Sequence, residues 1–178
     1  MNYYVGMFMI FLLASGCSST TAFKHFKKLD ARQERAATSL QTASIISEGR
    51  RTMIISAIHL NHTDPVAYDM NESFLVALYA KDHSALKTKE DNSPFPICRL
   101  TLNDRPPIAT RLLEKTDPLR KLMPINNDWN NFYRVDYAKS MDANLTLKLS
   151  DIQLNTASIL FKKEVKFDPA YIKAGSRP

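Results

Sequence analysis
From about Thr38 onward the chain breaks into short β-branched and aromatic runs, each closed by Asn, Asp, Pro or Gly. That spacing suits strands and leaves no room for the long amphipathic helices that a parallel α/β sheet needs. Residues 42–47, the pair Glu48-Gly49 and residues 50–60 read as a hairpin. Residues 73–79 are apolar at every second position on both faces, the pattern of a central strand. Residues 97–102, a turn over Asn103-Asp104-Arg105-Pro106 and residues 107–113 suggest a second hairpin, with Pro106-Pro107 at the turn or an edge. Asp117-Pro118 opens a single helical turn, an Asp cap followed by Pro at the first position. Further strands are expected over 132–137, 145–149 and 157–161. In the middle one Leu145, Leu147 and Leu149 should face inward, with Thr146 and Lys148 outside. The expected fold is all-β and mainly antiparallel, a small β-sandwich of about seven or eight strands with one short helical turn.

The N-terminus is of another kind. An apolar run of about thirteen residues, Tyr3 to Ser15, is too short for the ~20 residues that cross a bilayer but has the length of a signal-peptide core. It ends at Ala14-Ser15-Gly16-Cys17, followed by Ser18-Ser19-Thr20-Thr21. This segment resembles the lipobox of bacterial lipoproteins. The resemblance implies cleavage before Cys17 and lipidation of Cys17. Ser18, where an Asp would retain the protein in the inner membrane, implies the outer membrane. Several acyl chains on one residue would make a lasting anchor, since each buried CH₂ contributes about 0.8 kcal/mol. The expected division is 1–16 signal peptide, 17–37 lipid anchor and basic tether, 38–167 sandwich and 168–178 flexible tail.

About 160 residues remain after such cleavage, enough for one domain. Residues 1–16 carry no charged side chain, so the formal +6 belongs to the rest. Lys24, Lys27, Lys28, Arg32 and Arg35 face only Asp30 and Glu34, and Ala22, Phe26, Leu29, Ala36 and Leu40 recur at helical steps. This tether is therefore expected to be helical or flexible, lying on the inner leaflet or docking on the domain. The expected compartment offers no nucleic acid, which leaves lipid, polysaccharide or protein as partners of the positive charge.

The search for chemistry is bounded by glycine. Beyond Cys17 the chain holds only Gly49 and Gly175, so no phosphate-cradling loop, dinucleotide fingerprint or Gly-x-Ser-x-Gly elbow can be written. No cofactor is expected. His59, His62 and Asp64 could form a three-ligand metal site if the strand ends there and the chain curls back, although continuing strand geometry would put the two imidazoles on opposite faces. Asp64, Asp69 and Glu72 read as a solvated loop. Cys98 lies in a strand-like run with Arg99 on the other face and reads as a packing residue. Trp129, in a polar loop, and Tyr133 could form an aromatic surface for glycan or lipid. Asp69-Met70-Asn71-Glu72-Ser73 and Asp142-Ala143-Asn144-Leu145-Thr146 both read acid-x-Asn-x-Ser/Thr. They resemble the extended acceptor sequence of bacterial N-glycosylation, which would make Asn71 and Asn144 acceptors; turn formation accounts for them equally well.

These expectations describe a non-catalytic interaction or assembly module of an envelope protein complex, held to the outer membrane through Cys17 and facing the periplasm. In size, anchor and fold class it is similar to the sandwich lipoproteins of secretion systems, such as the type VI outer-membrane lipoprotein. The alternatives are a glycan- or lipid-binding module around Trp129 and a metal-dependent enzyme using His59 and His62.

Overall fold
The computed structural model describes residues 30–81 and 98–163. The segment containing Cys17, the expected signal peptide and the expected tail all lie outside the described residues. In chain order the elements are α1 (Ala31–Ser39), β1 (Gln41–Ser47), β2 (Arg50–His59), the single turn α2 (Leu60–Thr63), β3 (Glu72–Ala80), β4 (Cys98–Leu102), β5 (Ala109–Leu112), a 3₁₀ turn (Pro118–Leu122), β6 (Asn131–Tyr137), β7 (Asn144–Asp151) and β8 (Thr156–Lys162). One sheet has the order β1-β2-β3-β6-β5 and the other β4-β7-β8, every pairing being antiparallel. The fold is the small all-β sandwich read from the sequence, with few helices.

Two apolar clusters hold it. Between the sheets lie Ile45, Ile55, Phe74, Val76, Leu78, Val135 and Tyr137 from the larger sheet. Leu100, Leu102, Leu145, Leu147, Leu149, Ile159 and Phe161 face them from the smaller one. β7 alternates as expected: Leu145, Leu147 and Leu149 are buried, while Thr146 and Lys148 are only partly so. On the outer face of the larger sheet a second cluster joins Ala36 of α1 to Ile58, Leu60, Leu75, Ala77, Leu122, Met123 and Phe132. β3 feeds both clusters, which is why its sequence is apolar on both faces.

α1 begins at a capping box. The Asp30 carboxylate accepts from the Arg32 and Gln33 amides at 2.9 and 2.7 Å, and the Asp30 amide donates to Gln33 Oε1 at 3.2 Å. The helix docks through the fully buried Ala36. Residues 30–37, expected as tether, belong to this capped and docked helix, and residues 17–29 lie outside the described residues. The 3₁₀ turn is capped by Asp117, which accepts from the Leu119 amide at 2.9 Å, with Pro118 at its first position. Arg120 seats it on the sheet, its guanidinium 4.1 Å from the Phe132 ring centroid.

The two expected hairpins part company. Glu48 and Gly49 both have positive φ, 51° and 72°, and Ser47 pairs with Arg50, as a two-residue primed turn requires. Asn103 and Asp104 also have positive φ, 48° and 61°, and Leu102 and Arg105 exchange both backbone hydrogen bonds at 2.9 Å. Beyond Arg105, however, Pro106 and Pro107 have no N–H to extend a ladder. The chain leaves β4 and crosses to the other sheet, where β5 pairs with β6. β4 instead finds β7, and Asn103 stitches the turn to it: Asn103 Oδ1 accepts from the Thr146 amide at 2.7 Å. The second hairpin is thus a turn without a continuing ladder.

The Glu48-Gly49 turn makes a direct prediction. Glu48 sits in the left-handed region, which Asn tolerates better than Glu. Glu48→Asn should raise the unfolding free energy by about 0.5–1 kcal/mol in urea titration. A loss of stability would mean that the turn is not of this type.

Candidate functional site
The ends of β2, β3, β6 and β8 meet at one end of the sandwich, and a buried ionic network closes it. Glu72, the first residue of β3, is 1 % exposed. Its Oε2 is 2.9 Å from His59 Nε2, and its Oε1 accepts from Lys163 Nζ at 2.6 Å and from the Ser140 amide at 3.3 Å. Lys163 Nζ also donates to the Ser140 carbonyl. The His59 ring stacks on Phe74 with centroids 4.9 Å apart and lies 6.1 Å from Phe161. Burial pushes the Glu72 carboxyl up, but the bonds from His59, Lys163 and Ser140 outweigh it and bring its pKa down to about 2. Glu72 is therefore a fixed anion at neutral pH, well placed to position cations and poorly matched to proton exchange near pH 7.

Above this floor opens a cleft of about 580 Å³. His59 and Asn61 line it from the β2–α2 junction, Pro65, Tyr68 and Asp69 from the following loop, and Arg35 from α1. His62, Lys139, Lys162 and Lys163 complete the wall. Asn61 fixes the loop by its side chain: Nδ2 donates to the Asn71 carbonyl at 2.6 Å and to the Tyr68 carbonyl, and Oδ1 accepts from the Ser73 amide at 2.8 Å. Lys139 Nζ donates to the Asp69 carbonyl at 2.7 Å, tying this loop to the one after β6.

The solvated-loop expectation fails at Glu72, which is in the core register. Strand alternation could have located it, since Glu72 shares a face with Phe74 and Val76. The same argument finds Lys163, next in line after the inward-facing Ala157, Ile159 and Phe161. The chain does curl back after His59, and His59 and His62 line one cleft. Yet His59 Nε2 is engaged by Glu72, and no group of three His, Cys, Asp or Glu among the described residues could hold a metal ion.

Trp129 and Tyr133 do not form one surface. Trp129 is 70 % exposed, in a turn where Asn127 Oδ1 accepts from the Trp129 and Asn130 amides at 3.1 and 3.0 Å. Tyr133 is 3 % exposed, packed between the sheets. Both lie towards the start of β6, away from the cleft at its end. Asn144 is exposed at the start of β7, whereas Asn71 is half-buried and its Ser73 hydroxyl is donated to Asp136 Oδ1 at 2.5 Å. Cys98 packs against the inter-sheet core, and burial together with Asp151 pushes its thiol up to about 12.

Two measurements follow from these charges. A carboxyl whose folded pKa lies below its ordinary 4.5 stabilises the fold above that value, and the contribution is lost as pH falls through about 2. The stability difference between wild type and Glu72→Gln should therefore shrink by roughly 3 kcal/mol from about pH 6 to about pH 2 in denaturant titrations. A pH-independent difference would refute the ionic role. In a Cys17→Ser chain, Cys98 at pH 8 should react with iodoacetamide about a thousandfold more slowly folded than unfolded; equal rates would refute the burial of the thiol.

No protein-family model, curated protein or solved structure matches this chain, so the chemistry of the cleft stands on its geometry alone.

Proposed function
We propose that this chain is an outer-membrane lipoprotein, anchored through lipidated Cys17 and facing the periplasm, whose sandwich is a non-catalytic interaction module in an envelope protein complex. The observation that carries the anchor is Ala14-Ser15-Gly16-Cys17 at the end of an apolar run too short to span a bilayer. The interaction role is supported by the edge strand β5, only four residues long at the border of the larger sheet. Leu112 on β5 pairs with the buried Tyr133 yet is itself largely exposed, as is Ile108 just before the strand. The inner face of β5 thus reaches past the cover of the smaller sheet, and among the described residues no strand pairs with its outer edge, where an added strand could dock. Glu72, committed to Lys163 and hydrogen-bonded to His59, is held as an anion and is poorly suited to acid–base work at neutral pH. A glycan-binding reading retains the exposed Trp129 but has lost Tyr133 as a companion.

The test is crosslinking in living cells with recovery of the wild type, Cys17→Ala and Leu112→Asp. Palmitate should label the wild type and not Cys17→Ala, and a defined complex should be lost in both variants. Leu112→Asp should remain membrane-bound. A complex unaffected by Leu112→Asp would exclude β5 as the contact, and absence of label would exclude the anchor.

A further inference from the structure
We infer that the cleft end of the domain rests on an anionic lipid surface, with Arg35, Lys139 and Lys162 on phosphate groups and Val66, Met70 and Met141 in the interfacial layer. This inference rests on the lipoprotein reading for its biological setting, and on four observations for its content. The first is charge. Arg35, Lys139 and Lys162 are exposed at the cleft and make no ion pair with any described residue, whereas Lys163 is neutralised by Glu72. Of the two carboxylates that line the cleft among the described residues, only Asp69 is uncommitted, so the described lining keeps a positive excess. Exposed lysines near an anionic bilayer bind its surface potential, additively and in a salt-dependent way.

The second observation is the apolar rim. Val66 is 88 % exposed, Met70 80 % and Met141 97 %, in the two loops that flank the cleft. Single exposed apolar residues are ordinary, but three beside three unpaired cations combine the two forces that hold peripheral segments at an interface. The third is preorganisation. Asn61 pins the middle and the far end of the first loop through backbone bonds to Tyr68, Asn71 and Ser73, and the Lys139 bond to the Asp69 carbonyl joins it to the second. Little ordering is left to be done on docking.

The fourth observation is the direction of the chain. Arg32, in the first turn of α1, lies 3.6 Å from Asp64 in the cleft-side loop, and Arg35 lines the cleft itself. The polypeptide therefore enters the domain at this end. From Asp30 back to Cys17 is thirteen residues, a span of at most about 45 Å even fully extended. A short tether leaving from the cationic end places that end nearest the bilayer.

The experiment uses the chain from residue 17 onward carrying Cys17→Ser, so that no acyl chain contributes. It is sedimented with vesicles of phosphatidylcholine alone or with about a third phosphatidylglycerol, beside Lys139→Glu/Lys162→Glu and Met70→Ser/Met141→Ser. All substituted side chains are exposed, and matching thermal melts establish that each variant is folded. Binding to the anionic vesicles alone is expected, at least tenfold weaker in the lysine variant, with a smaller salt dependence. The methionine variant should also bind several-fold more weakly, with its salt dependence unchanged. Equal binding by all three proteins would assign the attraction to the basic residues before Asp30 and overturn the inference. So would competition by millimolar inorganic phosphate without any effect of the methionines, which would make the cleft a site for a free anion. Palmitate labelling of the wild type is read separately: label without a vesicle effect sinks the inference and leaves the lipoprotein, and a vesicle effect without label does the reverse.

Discussion
Burial of β3 on both of its faces is the constraint on which the rest of the molecule depends. Phe74, Val76, Leu78 and Ala80 point between the sheets, and Leu75 and Ala77 point to the helical side. At roughly 1.5–3 kcal/mol for each large apolar side chain fully buried, neither face could be left to water. The smaller sheet covers one face, and α1, α2 and the 3₁₀ turn cover the other. A sandwich alone would have left the second row of β3 exposed, so the helical cover is a requirement of the strand's composition. Ala36 suits that cover because its small side chain lets α1 approach the sheet closely.

The same strand sets the electrostatics of the site. β3 starts with a carboxylate in core register, and a charge buried there is tolerable only when paired and hydrogen-bonded. His59 arrives because β2 ends opposite the start of β3, and Lys163 arrives because β8 runs one position past Phe161 with its parity intact. Three strand termini are thereby fixed relative to one another by one side chain. The network places charge in a core that is otherwise apolar, and it also makes one end of the domain polar and open.

Much of the fold was legible because its signals are local. Glu48-Gly49 dictates its own turn, Leu145, Leu147 and Leu149 state their own period, and Asp117-Pro118 caps its own helical turn. The failures were of two kinds. Asn103-Asp104 is a genuine hairpin turn, but whether its flanks pair depends on β6 and β7, which offer better ladders than a strand starting with two prolines. Glu72 carried a readable sign, its parity with neighbouring core residues, but its acidic and Asn-rich surroundings argued for a solvated loop; Lys163 carries the same sign, two positions past Phe161. Tyr133 and Trp129 sit close in sequence, and only the packing of the two sheets separates a buried ring from an exposed one. The free carboxylate-poor cleft is a property of loop closure through Asn61 and Lys139, which no sequence spacing announces.

The crossing of the chain after Asn103-Asp104 has a consequence for how the domain comes into being. Because β4 and β5 belong to different sheets, neither sheet is a continuous stretch of chain: the larger takes β5 and β6 from beyond β4, and β4 itself waits for β7, with Leu102 pairing to Leu147. A chain emerging N-terminus first can form the β1–β2–β3 meander early, yet that meander exposes both apolar faces of β3 until its later partners arrive. Long loops must close before those contacts are gained, which slows folding. The topology thus builds in an interval during which a half-sheet with both faces of β3 uncovered persists until the later strands arrive.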